Sequence, residues 1–306
     1  MRKIILLVIL GVFFSGCISI GPAATQFKND GITLESYSVT TVKPYAGSAT
    51  TVQFDVQNSI DKPTRNVEVS FFDLPGFKIL KLDCSSGQRK DDHTCFYDKI
   101  DALDFKRFAI TLQSPSSDLI KAPTDFPLSF LVKYDQTGYR EIDIPIIDDV
   151  TLHEPKSTYK ESSPSHGPVK VDFEAPIGRE TKKGKSIVQE HWAVRGSMFQ
   201  IKMKFSYQGD SSIGDIIPVN ISKENVHLEY SNVEIAKELY CNFDGGNGQA
   251  TANIDVDIPK TSSRTFVCNF NSANFPEAER IATISVSYQY TYEFIRTEKI
   301  TVVPVG

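Results

Sequence analysis

Any chemistry in this chain would have to start from a few short clusters. Gly178-Arg-Glu-Thr-Lys-Lys-Gly184-Lys185-Ser186 has the ingredients of a phosphate-binding loop, in which backbone amides cradle a nucleotide's phosphates and a Lys-Ser pair follows. Five residues separate these glycines where such a loop has four, and Ile187-Val188-Gln-Glu-His-Trp192-Ala-Val194 reads as a strand instead of the required helix. A basic, solvated loop is expected there, and no nucleotide. Asp244-Gly-Gly-Asn247-Gly-Gln offers oxygen donors, yet it lacks the spaced carboxylates and closing glutamate of a calcium loop and reads as a flexible connection after Cys241. The five histidines (93, 153, 166, 191 and 227) include none that adds a second ligand at zinc-finger spacing, and no Cys-x-x-Cys occurs. His93, two residues before Cys95, stands isolated, so no metal is expected.

For nucleophilic catalysis there is neither a Gly-x-Ser-x-Gly elbow nor the helical spacing of a zinc protease. Ser165-His166 falls in a segment without strand pattern, a poor place for a pre-organised site. Asp91-Asp92, Asp148-Asp149 and Glu190-His191 supply carboxylates and an imidazole that sequence alone cannot bring together. Tyr288, Tyr290 and Tyr292 could form an aromatic platform for carbohydrate, but they share parity with Ile284 and Val286 and read as the core side of a strand. Asn220-Ile221-Ser222 is a glycosylation sequon, which would mark an exposed loop in a host that glycosylates. No catalytic, cofactor-binding or metal-ligating residue is assigned.

The amino terminus is more informative. Arg2 and Lys3 precede an apolar run from Ile4 to Phe14 that closes in Phe14-Ser15-Gly16-Cys17. At about 11 residues the run has the length of an export signal's apolar region and is well short of the roughly 20 needed to span a bilayer as a helix. The ending resembles the lipobox of lipoproteins, although Phe14 stands where Leu is usual. The resemblance implies a lipoprotein signal peptide over 1–16, a diacylglycerol-type lipid on the sulfur of Cys17, and a tether over 17–30. The protein would then sit on the extracellular face of the cytoplasmic membrane, held by lipid and not spanning it.

Of the five cysteines, four remain: Cys84, Cys95, Cys241 and Cys268. In an exported chain disulfides persist, and among three connectivities the natural pairs are Cys84 with Cys95 and Cys241 with Cys268.

These residues must be positioned by β structure. The chain has 306 residues, enough for one large domain or two of ordinary size, with 20 Phe and 12 Tyr against 3 Met and 1 Trp. A formal net charge of -5 gives no bulk attraction to nucleic acid, so no polynucleotide partner is expected. Val52, Phe54 and Val56 alternate with Gln53, Asp55 and Gln57, which predicts a half-buried strand. The same period recurs at Val67–Phe71, Phe108–Leu112, Ile142–Ile146 and Phe199–Tyr207, and Pro145 suits an edge. Ser231–Tyr240 fits a short helix or a strand equally well. Residues 151–167 are polar and rich in Pro and Ser, and read as a linker between domains at 31–150 and 168–306.

The two halves rhyme. Gly47-Ser48 precedes one strand and Gly196-Ser197 another, while Leu128-Ser-Phe-Leu-Val-Lys-Tyr134 matches Ile284-Ser-Val-Ser-Tyr-Gln-Tyr290 in pattern, each leading into a last strand. A twofold repeat of one β-sandwich explains this. With the lipobox, the Gly-Ser-led strand, the central cysteine pair and the closing Ser-x-Tyr-x-Tyr hairpin, the chain resembles the tandem immunoglobulin-like repeats of archaeal cell-surface lipoproteins and S-layer-associated proteins, the broad CARDB-like group. The resemblance implies an all-β fold of two tandem immunoglobulin-like sandwiches and no catalytic residues. The expected function is a non-enzymatic, lipid-anchored interaction or structural module of the envelope, with envelope proteins or surface polysaccharide as partners. Its rivals are an envelope-bound enzyme or enzyme subunit and a filament or surface-assembly subunit.

Overall fold

The computed structural model describes residues 31–148, 158–183, 186–208, 215–259, 262–276 and 280–305. Cys17, with the signal and tether spans, lies outside them, as do Asp149 and His153. In the first half the strands are β1 (Ile32–Val39), β2 (Ala49–Asn58), β3 (Thr64–Phe72), β4 (Lys78–Asp83), β5 (Gln88–Arg89), β6 (Thr94–Ile100), β7 (Phe105–Gln113) and β8 (Thr124–Ile147). The second half follows with β9 (Lys160–Glu161), β10 (Val169–Glu174), β11 (Ile177–Lys183), β12 (Ser186–His191), β13 (Ala193–Val194), β14 (Met198–Tyr207), β15 (Asp215–Ile216) and β16 (Val219–Ile221). It ends with β17 (Val226–Tyr230), β18 (Glu234–Ile235), β19 (Phe243–Gly246), β20 (Gln249–Ala252), β21 (Val256–Ile258), β22 (Ser263–Asn271) and β23 (Ile281–Val302). Among the described residues there is one short 3-10 turn, Lys223–Asn225, and no α-helix. The fold is all-β, with antiparallel sheets packed as sandwiches.

Each half owns an outer sheet, ordered β1-β2-β7-β4 in the first and β10-β14-β22-β18 in the second. The facing sheet is common to both and runs β19-β20-β17-β23-β8-β3-β6-β5. Its centre is the antiparallel pair β8 and β23, in unbroken register from Ile281 opposite Pro145 to Val302 opposite Thr124. At about 3.4 Å per residue, the 22 residues of β23 extend roughly 70 Å. The amino-terminal part of β8 pairs with β3 and the corresponding part of β23 with β17, so each sandwich borrows the far end of the other half's long strand.

The repeat is visible atom by atom. Gly47 and Gly196 take φ of 77° and 76°, a left-handed turn that a side chain would strain. The hydroxyls of Ser48 and Ser197 then donate to Tyr45 O and Val194 O at 2.6 and 2.5 Å. Ser114 and Ser272 close the two turns identically, each donating its backbone N–H to the carbonyl of Ser48 or Ser197. The offset that aligns Leu128 with Ile284 aligns Asp135 with Thr291, and these two are also register partners, so the pseudo-dyad passes between them. There Thr291 Oγ1 donates to Asp135 Oδ1 at 2.9 Å.

The alternating residues enter the cores as their period requires: Val52, Phe54 and Val56 are buried, and so are Phe199, Ile201, Met203 and Phe205. In the first half Phe54 and Phe108 of the outer sheet meet Phe71 and Phe130 of the common sheet, with ring centroids 4.9 to 5.2 Å apart for four of the pairs. Phe205 against Tyr288 and Tyr230 against Phe270 join the sheets of the second half.

The bridges also span the sheets. Cys84, just after β4, is bonded to Cys95 on β6, and Cys241, just before β19, to Cys268 on β22. Cys84 and Cys241 hold equivalent places in the repeat, whereas their partners lie in different sheets. In the loop-entropy account the bridges contribute about 3 and about 3.5 kcal/mol.

Three readings change. The closing segments are not hairpins: Asp135-Gln-Thr-Gly138 has turn composition, yet β8 runs straight through it. A Cβ on Gly138 would lie 1.9 Å from the Tyr288 ring, so this glycine makes room for a ring across the sheet and does not make a turn. The span read as a linker includes β9, which pairs with β8 at Asp143 and Ile142. Pro145 lies in a central strand, but its missing N–H faces away from β23, in the gap between the β9 and β13 pairings.

The tyrosine row is core. Tyr288 Oη donates to Val169 O at 2.8 Å, Tyr290 Oη accepts from Val169 N at 3.2 Å, and the hydroxyls of Tyr207 and Tyr292 are 2.7 Å apart. Burial first, then the nearby Asp172 carboxylate, pushes Tyr288 up to about 12, and burial raises Tyr290 well above its ordinary value. The neutral phenols are therefore the folded form. The stability they confer is fully present below the unfolded value near pH 10 and is lost as pH rises through the folded values. Alkaline titration is expected to ionise these tyrosines only together with loss of the β circular dichroism signal. Ionisation of all 12 tyrosines with the β signal intact would contradict it.

Candidate functional site

The clusters picked out by sequence are scattered. Of Gly178–Ser186, the described residues belong to the antiparallel β11–β12 pair, so a strand and not a helix follows the glycine-rich stretch, while Gly184 and Lys185 lie outside the described residues. A Cβ on Gly178 would stand 2.0 Å from the Trp192 ring, so the glycine lets the indole lie flat against the hairpin base. Asp244–Gln249 is the β19–β20 hairpin, turned by Asn247 and Gly248 at φ of 56° and 85°, the signature of an Asn-Gly hairpin turn. Asn220 lies exposed on the short strand β16, not in a loop, and its amide donates to Asp257 across the β16–β21 pair. Asp91 accepts the backbone N–H of His93, which holds its carboxyl below the usual range. No group of three potential metal ligands occurs among the described residues.

Ser165 and His166 line a polar cleft of about 320 Å³ at the waist, beside the pseudo-dyad, with Arg65, Asn66, Asp135 and Gln136. They do not form a catalytic pair. Ser165 Oγ accepts the backbone N–H of Tyr139 at 3.0 Å, whereas the His166 ring turns to Asp61, 3.3 Å away. Asp135 is occupied by Asn66 as well as Thr291. Gly31 packs against this waist, where a Cβ would lie 2.5 Å from Tyr134 Oη.

A larger depression of about 590 Å³ lies between the β11–β12 hairpin and the edge of the β10–β14 sheet. Its floor and walls include Tyr159, Glu161, Gln189, His191, Gln200 and Lys202. The rings of Tyr159 and His191 are adjacent, 4.8 Å between centroids and inclined by 40°. Tyr159 Oη donates to one oxygen of Glu161 while Arg140 Nη2 binds the other. Arg140 projects from the core face of β8, its side chain only 9% exposed, and its Nε and Nη1 have no protein partner. Burial, then the Glu161 contact, raises the Tyr159 hydroxyl well above its ordinary value. His191 Nδ1 lies 3.2 Å from Pro176 O; since a carbonyl only accepts, Nδ1 carries the hydrogen, and in the neutral ring Nε2 is the acceptor. Sequence reasoning reached His191 only as half of Glu190-His191 and passed over Tyr159, Glu161 and Arg140. Strand parity could have signalled Arg140, which falls between Gly138 and Ile142 on an otherwise uncharged face.

No protein-family profile matches the chain, and no curated protein does. Solved structures match only distantly. Spo0M, a sporulation control protein from Bacillus subtilis, shares 8% identity over 65% of this chain and 78% of its own, with a TM-score of 0.21. Red sea bream transglutaminase shares 10% over 88% of this chain and 31% of its own, at 0.20. The Enterococcus faecalis MSCRAMM ACE, described as binding its ligands by the collagen hug, shares 9% over 89% and 95%, at 0.20. Likenesses this weak assign neither a family nor a function, and the resemblance to CARDB-like surface repeats has no matching sequence family behind it.

Proposed function

We propose that this chain is a non-enzymatic interaction module of the cell envelope, of archaeal surface-lipoprotein type, held by a lipid on Cys17 at the extracellular face of the cytoplasmic membrane. The observation that carries the reading is the build of the two sandwiches. Each is closed across its sheets by a disulfide, as suits an oxidising exterior, and both hang on one long strand pair in unbroken register. No helix among the described residues is long and apolar enough to cross a membrane. The groups that could do hydrolytic chemistry, Ser165 and His166, are bonded to separate structural partners. A filament subunit is less well supported, because both edges of the first outer sheet are blunted by irregular register, between Glu35 and Ser38 in β1 and between Ile79 and Lys81 in β4.

Whole cells treated with a membrane-impermeant cross-linker should yield covalent complexes of this chain with envelope components. The purified full chain should turn over none of a panel of ester, peptide, phosphate and glycoside substrates. Steady turnover of any of these, abolished by a point substitution, would overturn the reading.

A further inference from the structure

We propose that the depression between the β11–β12 hairpin and the edge of the β10–β14 sheet is a binding site for a neutral oligosaccharide, an inference that rests on the surface-module reading and names its partner class. The volume of about 590 Å³ falls within the roughly 300–1,000 Å³ of small-ligand sites. Its chemistry selects the ligand. The three ionised residues lining it are already neutralised, Glu161 by Arg140 and Glu174 by Lys202 at 3.0 Å, so no unmatched charge calls for a charged ligand.

What the site does present is an aromatic corner and a set of fixed hydrogen-bonding groups. The Tyr159 and His191 rings stand side by side at the wall, as a surface on which the C–H face of a pyranose can lie. Around them are acceptors and amides suited to hydroxyls: His191 Nε2, the Glu161 carboxylate, Gln189 and Gln200. Glu161 is held from two sides, by Tyr159 Oη and by the buried Arg140, so it would meet a ligand without first being ordered. The waist cleft lacks such an aromatic pair.

The chain's single tryptophan, Trp192, follows His191 and packs on the hairpin base, which makes it a reporter of occupancy. Full-length protein in detergent micelles would be titrated with neutral trisaccharides of glucose, mannose and N-acetylglucosamine, with trigalacturonate as the acidic control, following Trp192 emission and heat. At least one neutral trisaccharide is expected to give a saturable change. Tyr159→Ala and His191→Ala should each weaken it about tenfold or more while the chain keeps its β circular dichroism signal. Tyr159→Phe, which keeps the ring, should weaken it less, and His166→Ala in the waist cleft should leave it unchanged. Absence of a saturable response to all three neutral sugars, equal affinity in Tyr159→Ala and His191→Ala, or preference for trigalacturonate would overturn the site. If no sugar binds while cross-linking still captures envelope components, this site falls and the surface-module reading stands. Cleavage of a bound trisaccharide would overturn both.

Discussion

Phe130→Ala should destabilise the full chain by about 3–5 kcal/mol and should shift the unfolding of both sandwiches together. Phe130 is fully buried in the first half, within contact distance of Phe54 and Phe71. Truncating it removes a large apolar surface and leaves a cavity where two sheets meet, a loss comparable with much of a domain's net stability. The coupling follows from topology. The strand that carries Phe130 continues without a break to Ile147, lies against β23 along that length, and contributes Ile142, Ile144 and Ile146 to the second core. Unfolding one sandwich would strip the other of a central strand. Trp192 sits in the second half, so its fluorescence gives the decisive signal. In denaturant, its transition midpoint should fall in Phe130→Ala and coincide with that from circular dichroism. Two separated transitions, with the Trp192 signal unmoved by Phe130→Ala, would show that the halves unfold independently, as the composition of 151–167 suggests on its own.

That contrast marks what sequence could convey. Period-two alternation at Val52–Val56 or Phe199–Phe205 is imposed by burial of one strand face, so those strands and their core residues were readable directly. The Gly47 and Gly196 turns were readable because a left-handed residue followed by a hydroxyl leaves a recognisable pair. The common sheet was not readable. Asp135-Gln-Thr-Gly138 has turn composition, and the reason for its glycine lies across the sheet in the ring of Tyr288. Polar residues 158–167 read as a linker because they close an open seam of the second sandwich through hydrogen bonds, such as Gln136 Nε2 to His166 O at 3.0 Å, and leave no apolar period. The depression beside Tyr159 was hidden for a similar reason. Arg140, Tyr159, Glu161 and His191 come from separate segments, and nothing in their spacing along the chain records that they meet.

The larger effect concerns Cys17. Everything proposed about function places the chain at the outer surface on a lipid, and a thioether at one sulfur decides whether it stays there. A second acyl chain converts marginal membrane affinity into stable anchoring, so the difference between lipidated and bare protein should be close to all-or-none. Expressed in its own host, the wild-type chain should partition into the detergent phase. Its first mature residue should be Cys17, with the mass of a diacylglycerol-type lipid on the amino-terminal peptide. Cys17→Ala should carry no lipid and should leave the detergent phase. The most direct measurement is therefore the intact mass of that peptide from wild type and Cys17→Ala. A lipid-sized difference is predicted, and two peptides that differ only by the substitution itself would contradict the account.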